Sequence, residues 1–123
     1  MEWYLYHLDN VSVENSGTDG VEVSHSQRNT MKNCNVSHSK RGGLFVNRAL
    51  MTIDGNATTI HHNGTNGRGD YGLYTGSSSS ILLVSPLTKE MISTNNDGGR
   101  NCGVQYGGKI QTITKNNTKE EKK

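Results

Sequence analysis

The sequence predicts an all-β solenoid, and three observations lead to this fold class. Only 30% of the 123 residues are hydrophobic, while 53 are Asn, Ser, Thr or Gly, which are common in turns and rare in helices. Short apolar segments recur with an offset of 23 residues. Within each repeat, two or three short apolar runs alternate with Asn- and Gly-rich turns, as β-strands do. Because one such coil cannot bury its apolar face alone, we expect the coils to stack.

The composition also argues against other classes. A helical bundle needs more Ala, Leu, Glu and Lys, and a conventional two-layer α/β domain is equally disfavoured. A formal net charge of +2 is too small to drive nucleic-acid binding by itself, so no nucleic-acid partner is expected. Disordered chains usually combine low hydrophobicity with high net charge, whereas the charges here nearly balance. No segment approaches the roughly 18–20 apolar residues of a membrane span.

The N-terminal segment and the cysteines bear on the compartment. Residues 1–8 include Glu2 and His7 and lack a basic region, so they do not resemble a secretory signal. An intracellular location is therefore the default expectation. Cys34 and Cys102 show no metal-ligand spacing and are expected to be reduced thiols. We expect no metal site and no cofactor.

The chain divides into three predicted segments. Residues 1–7 contain an aromatic run that could form a partial cap over one end of the core. Residues 8–113 carry the repeats. Residues 114–123 are predicted to be a disordered charged tail, because positions 115–123 hold no apolar residue and their glutamates offset their lysines.

The repeats are clearest where residues 11–23 align with residues 34–46 at an offset of 23. A Gly–aliphatic step then recurs along the chain, at Gly20-Val21, Gly43-Leu44, Gly72-Leu73 and Gly103-Val104. The aliphatic residues that precede each turn are Val13, Val36, Ile60 and Ile92. A third apolar column, with a softer register, contains Met31, Ile53, Leu83 and Ile113. Asn10, Asn33 and Asn56 also lie 23 residues apart, which predicts a turn ladder of stacked side-chain amides.

Two stretches carry a resemblance to a known family. Residues 30–36 (TMKNCNV) followed by 43–46 (GLFV), and residues 52–56 (TIDGN), look like coils of the right-handed parallel β-helix of the pectin-lyase-like superfamily. The resemblance covers about residues 8–113 and implies a short helix of about four to five coils. Full-length enzymes of the superfamily typically have more coils, so the chain resembles a fragment or a trimmed relative. A helix this short has two exposed β edges, which favours end-to-end self-association or another partner.

Two consecutive turns are lengthened at the same corner of the repeat. From the preceding aliphatic residue to the glycine there are 7 residues in each of the first two repeats, then 12 and 11. The lengthened loops are residues 61–71 and 93–102. Insertions at one corner of a solenoid lie on one face, and such faces often bind ligands.

These two loops hold the candidate site residues, which are His61, His62, Arg68, Asp70, Tyr71, Asp97 and Arg100. If the loops stack, Asp70 and Asp97 approach within several Å, and glycoside hydrolysis uses two carboxylates at roughly 5–9 Å. Arginine could hold a uronate carboxylate, and Tyr71 could stack on a sugar ring. The simpler interpretation is a pair of flexible loops with solvated charges. His61 and His62 are expected to point to opposite faces of a strand, which disfavours a joint metal site.

The sequence favours a non-enzymatic binding or structural module that recognises a glycan or a protein through loops 61–71 and 93–102. The alternative is a carbohydrate-active enzyme, either a polysaccharide lyase or a glycoside hydrolase, or a fragment of one. The polygalacturonase-like signatures disfavour catalysis. The chain has no Asp-Asp, Gly-His-Gly or Arg-Ile-Lys, and residues 94–97 (TNND) only faintly match Asn-Thr-Asp. A third alternative, a truncated and idle gene product, predicts weak or absent cooperative unfolding.

Overall fold

The computed structural model describes residues 5–114. Residues 1–4 of the predicted cap and residues 115–123 of the predicted tail lie outside this range. The described chain is mostly β, with 45% in strands and 6% in helix. This agrees with the predicted all-β class.

The strand content is divided among thirteen short strands. The first seven are β1 (Leu5–Asp9), β2 (Ser12–Glu14), β3 (Val21–Ser24), β4 (Arg28–Lys32), β5 (Asn35–Ser37), β6 (Leu44–Asn47) and β7 (Leu50–Asp54). The other six are β8 (Thr59–His61), β9 (Leu73–Thr75), β10 (Ser80–Val84), β11 (Ser93–Thr94), β12 (Cys102–Val104) and β13 (Lys109–Ile113). A single helical turn, α1 (Lys89–Ile92), precedes β11, and a 3-10 turn at Asp97–Gly99 precedes β12.

The strands form three parallel sheets, which the chain visits in rotation. Sheet A has the order β1-β4-β7-β10-β13, sheet B has β11-β8-β5-β2, and sheet C has β12-β9-β6-β3. Each strand therefore pairs with the strand three places along the chain. Parallel strands require a crossover connection, and here the crossover consists of the two intervening strands and their turns.

The corners between strands are made by residues with left-handed backbone. After sheet B the corner residues are Asn15, His38, His62 and Asn95, with φ between 53° and 61°. Asn and His enter this region more readily than most residues, which accounts for their frequency at the corners. Each of these residues then starts a turn toward sheet C.

One hydrophobic core is shared by all three sheets. Its fully buried members alternate along the strands with outward-facing polar residues, as a period of two requires. Met31 comes from sheet A, Val36 from sheet B and Leu44 from sheet C, and each has 0% exposure. The low hydrophobic fraction is sufficient because each strand contributes only a few inward side chains.

The predicted column of aliphatic residues that precede the turn is observed in the first three repeats and shifts by one residue in the fourth. Val13 pairs with Val36 and Val36 with Ile60, as predicted. Ile60, however, pairs with Ser93 rather than Ile92. Ile92 is instead the last residue of helix α1 and is buried there. Because the helix includes Ile92, strand β11 begins one residue later, at Ser93.

Two other columns shift at the same end of the chain. Leu73 pairs with Cys102, so Val104 lies two pairs further along, opposite Thr75, and is 51% exposed. Leu83 pairs with Thr112, and Ile113 pairs with Val84. The lengthened second loop and the turn before β13 change the spacing, which a fixed offset cannot follow.

The predicted ladder of Asn10, Asn33 and Asn56 is incomplete. The register of β1 and β4 places Asn10 beside Asn33, and the Asn10 amide donates to the Lys32 carbonyl at 3.0 Å. On the other side, Oδ1 of Asn33 lies against Gly55, while Asn56 is exposed. The third position of the ladder is therefore a glycine, because the turn after β7 reaches its left-handed residue one position earlier.

Candidate functional site

The two lengthened loops stack on each other, as loop insertions at one corner should. The Asp97 amide donates to the Asn63 carbonyl at 3.0 Å, and the Gly72 amide donates to the Arg100 carbonyl at 3.0 Å. The Leu73 amide donates to the Asn101 carbonyl at 2.9 Å. These bonds continue the parallel pairing of β8 with β11 and of β9 with β12 through the loops.

Buried asparagines support the base of both loops. Asn96 has no exposed surface, and its Oδ1 accepts from the amide of Asn63 at 2.9 Å and from Nδ2 of Asn63 at 3.0 Å. Its Nδ2 donates to the Ile60 carbonyl at 3.1 Å. At the preceding corner after sheet B, Oδ1 of Asn63 accepts from the Ser39 amide. The asparagine ladder of this protein thus lies at the corner after sheet B, and not at the predicted positions.

Asp97 serves as a clamp between the loops. Its Oδ2 accepts a hydrogen bond from the Gly69 amide at 2.8 Å. A Cβ at Gly64, where φ is 80°, would lie 2.6 Å from the Cβ of Asp97, so only glycine fits beneath the clamp. One carboxylate oxygen of Asp97 is therefore committed to the backbone of the neighbouring loop.

Asp70 lies in a different recess from Asp97. The Asp70 recess has a volume of about 260 Å³ and is lined by Asp19, Arg41, Gly42, Phe45, Gly69, Asp70, Tyr71 and Tyr74. Asp97 lines a shallow depression beside His38 and His62. The two carboxylates lie on stacked loops without lining one common recess.

A row of aromatic rings forms one wall of the Asp70 recess. Phe45 of β6 pairs with Tyr74 of β9, and their ring centroids are 5.3 Å apart. The ring of Tyr71 stacks on Tyr74 at 5.6 Å with an angle of 6° between the planes. Next along the sheet comes Gly103, where a Cβ would lie 2.8–2.9 Å from three atoms of the Tyr71 ring. The missing side chain of Gly103 leaves the space into which Tyr71 folds, and the row extends to three rings.

The charged groups of this recess are only partly engaged. Oδ1 of Asp19 accepts from the Gly42 amide at 2.9 Å. Within residues 5–114, the side chains of Asp70 and Arg41 make no hydrogen bond or ion pair. Burial raises the pKa of the Tyr74 phenol, with further contributions from Tyr106 and Tyr71, so the hydroxyl stays protonated at neutral pH. The recess therefore offers two carboxylates, a guanidinium and a neutral phenol.

The two predicted arginines lie outside this recess. Arg68 is exposed at the tip of its loop, where its amide donates to Oδ1 of Asn66. The guanidinium of Arg100 lies against Gly69 and lines a neighbouring recess that shares Tyr71. Tyr71 is thus the predicted site residue that faces both recesses.

The prediction that His61 and His62 point to opposite faces is wrong. His62 has a left-handed backbone, with φ of 56°, so strand alternation stops at His61. Their Nδ1 atoms are 2.7 Å apart, and the His38 ring stacks on His62 at 5.3 Å. Burial lowers the pKa of His61, the neighbouring His62 and His38 lower it further, and Glu14 partly opposes them.

The described residues also bear on metal sites and on membrane-spanning helices. Residues 5–114 contain no cluster of three His, Cys, Asp or Glu side chains arranged to hold a metal ion. Across the same residues, no helix has the length and apolar character needed to cross a membrane.

The sequence reasoning missed Asp19, Arg41, Phe45 and Tyr74. A signal for the last two was present, since both follow a Gly-Leu step, as Gly43-Leu44-Phe45 and Gly72-Leu73-Tyr74. Equivalent positions in stacked coils place like residues side by side. Asp19 and Arg41 had no such signal, because turns bring them to the recess.

The geometry is the available guide to function, since no protein-family model, curated protein or solved structure matches the chain.

Proposed function

We propose that the protein is a non-enzymatic glycan-binding module built on a right-handed parallel β-helix of the pectin-lyase-like type. Support for the fold comes from three parallel sheets visited in rotation around one core. Each circuit of three strands then constitutes one coil of the solenoid. The lengthened loops rise from one corner of consecutive coils and border the binding face.

The observation that carries the binding proposal is the aromatic row beside free polar groups. Phe45, Tyr74 and Tyr71 form a continuous apolar wall. Next to it, the side chains of Asp70 and Arg41 have no hydrogen-bond or ion-pair partner among residues 5–114. A sugar ring has an apolar C–H face and a rim of hydroxyls. Aromatic rings suit the face, while carboxylates and guanidinium groups suit the hydroxyls.

The second candidate is a polysaccharide lyase or glycoside hydrolase that uses Asp70 and Asp97. The stacking of the two loops favours this candidate, because it brings both residues to one side of the molecule. Against it, Asp97 is engaged by the Gly69 amide, and the two carboxylates line separate recesses. General acid–base work on one bond requires both groups to face that bond.

The test is a panel of soluble oligosaccharides measured by calorimetry with the wild-type chain and two variants. We expect Tyr74→Ala to abolish binding, because it removes the central ring of the row. Tyr6→Ala is the matched control, since Tyr6 is exposed on β1 away from the recess. Binding unaffected by Tyr74→Ala, or selective binding of proteins alone, would overturn the proposal.

The same panel separates binding from catalysis. Each mixture is assayed for new reducing ends and for unsaturated products after prolonged incubation. We expect none with the wild-type chain. Cleavage that is lost in Asp70→Asn or Asp97→Asn would establish the enzyme and remove the binding module as the primary function.

A further inference from the structure

The charge distribution of the aromatic recess points to a particular class of sugar. Two carboxylates, Asp19 and Asp70, line it together with one guanidinium, that of Arg41. The recess thus carries a net negative charge, although the whole chain has a formal net charge of +2. Long-range attraction by the whole protein favours anionic glycans, while the recess itself opposes them.

The two carboxylates are less hydrated than the guanidinium. Asp19 and Asp70 are half-buried, whereas Arg41 is exposed. An exposed charge is screened by water and salt more than a half-buried one, so Arg41 offsets only part of the local negative potential. Its reach into solvent also makes it a poor clamp for a ligand that lies on the ring row.

The orientation of Asp19 is fixed by the fold. The Gly42 amide holds its Oδ1 at 2.9 Å, which leaves Oδ2 for a ligand. Asp70 comes from the second loop beyond that of Asp19, with the loop of Gly42 between them. Neither carboxylate oxygen of Asp70 has an intramolecular partner within the described chain. Together they present unused acceptors on the same recess from two different coils.

The row of aromatic rings also favours a positively charged ligand. The faces of aromatic rings carry negative charge and attract ammonium groups, and carboxylates accept strong hydrogen bonds from them. A uronate would instead place its carboxylate beside two others. We infer that the recess selects amino sugars with a free ammonium group, of the glucosamine type, over neutral sugars and over uronates.

This inference rests on the proposed function and narrows its ligand. It differs from the expectation that arginines grip a uronate, because Arg68 and Arg100 lie outside the recess. The experiment compares oligosaccharides of matched length, and the two amino-sugar probes share one linkage geometry. The three probes are β-1,4-linked glucosamine, its N-acetylated form, and oligogalacturonate, titrated calorimetrically under mildly acidic conditions in which the amines are protonated.

We expect the glucosamine oligomer to bind at least about tenfold more tightly than its N-acetylated form, as charge-assisted hydrogen bonds permit. Oligogalacturonate should bind most weakly. Asp70→Asn should reduce the preference for glucosamine while leaving the affinity for the N-acetylated oligomer within about twofold. Asp9→Asn is the matched control, because Asp9 is an exposed carboxylate on β1. Circular dichroism verifies that each variant is folded.

The possible results separate the two proposals. Tightest binding of oligogalacturonate, or a glucosamine preference that survives in the Asp19→Asn/Asp70→Asn double variant, overturns the charge inference and leaves glycan binding intact. A glucosamine preference lost equally in Asp9→Asn also overturns it, because the attraction is then non-local. Absence of binding by every oligosaccharide overturns the proposed function and this inference together.

Discussion

At the scale of single residues, polar side chains replace backbone partners where the chain turns. Asn96 has no exposed surface, and its side chain makes five hydrogen bonds. The partners of these bonds are Asn63, Ile60, Ser93 and Asn101. The backbone amide of Asn96 donates a further bond to Oδ1 of Asn101. Buried polar groups are tolerated in proteins when they are hydrogen-bonded in this way. The high asparagine content therefore has a structural cause, since buried asparagines satisfy backbone groups at the corners.

We expect the histidine cluster to make stability dependent on pH. Nε2 of His61 donates to Oδ1 of Asn35 at 2.9 Å, so Nδ1 of neutral His61 accepts the proton of Nδ1 of His62. Protonation of His61 places two donors face to face unless His62 changes tautomer. This arrangement agrees with the lowered pKa of His61, for which burial is the first cause and the charges of His62 and His38 the next.

The sign of the pH effect follows from linkage. The unfolded chain has the ordinary histidine pKa of about 6.5, so it binds a proton before the folded state does. The stabilisation from neutral His61 should be complete above that pH and decrease as the pH falls through the lower pKa of folded His61.

We expect the melting temperature of His61→Gln to fall less than that of the wild type when the pH is lowered from 7.5 to 5. The measurement is thermal unfolding by circular dichroism, with His25→Gln as control, since His25 lies on another corner. Equal acid sensitivity of wild type and His61→Gln would contradict the assignment.

At the scale of elements, the two lengthened loops behave as one unit. Hydrogen bonds between Asp97 and the backbone of Gly69 and Asn63 connect them, as do the bonds from Asn63 to the Asn96 side chain. Through the Gly69 bond, Asp97 also determines where Asp70 and Tyr71 lie. The first loop alone has many glycines and few buried apolar side chains, so its order depends on these contacts.

Removing the clamp should open the first loop locally. We expect Asp97→Ala to accelerate trypsin cleavage after Arg68 by at least about fivefold, since a hydrogen bond to a charged group contributes more than about 1 kcal/mol. The melting temperature should change little, because the core strands are untouched. Native-state proteolysis followed by mass spectrometry gives the rate at Arg68, and Asp9→Ala is the control on β1. An unchanged rate at Arg68 would show that Asp97 does not hold the loop.

At the scale of the whole molecule, each group of three successive strands in residues 5–114 pairs with the groups before and after it. The sheet order pairs every strand with neighbours three places away in the chain and with no more distant strand. Stability in such an arrangement is approximately a sum of local terms and nearest-neighbour interfaces. Positions in the middle, with neighbours on both sides, should therefore be more costly to truncate than positions at the last strand.

Ile60 and Ile110 provide a matched pair for this comparison. Ile60 lies on β8 with strands on both sides and has 0% exposure, while Ile110 lies on β13 at the edge of sheet A and is half-buried. We expect Ile60→Ala to cost about 2–5 kcal/mol and Ile110→Ala clearly less. Urea unfolding monitored by circular dichroism measures both free energies. Equal costs would mean that the terminal circuit is as tightly packed as the centre.

Much of the architecture follows from the sequence, because its causes are local and repeated. The offset of 23 residues predicts the pairing of Val13 with Val36 and of Val21 with Leu44, since residues at equivalent positions of the repeat pair in the parallel sheets. The same offset fails at Ile92, Val104 and Ile113. A helical turn and an inserted loop change the number of residues between strands there. Sequence spacing alone does not show which of the added residues pairs with the neighbouring strand.

The sequence by itself determined the strand-rich class, the inward aliphatic columns and the corner at which loops are inserted. Those features depend on residue type and spacing along one chain. Only the tertiary structure decided that Asp97 clamps Gly69, that Tyr71 folds into the space beside Gly103, and that Asp19 and Arg41 join Asp70. Each of these depends on contacts between segments far apart in the chain. Left-handed corners and packing set the distances between such segments, and no periodicity encodes them.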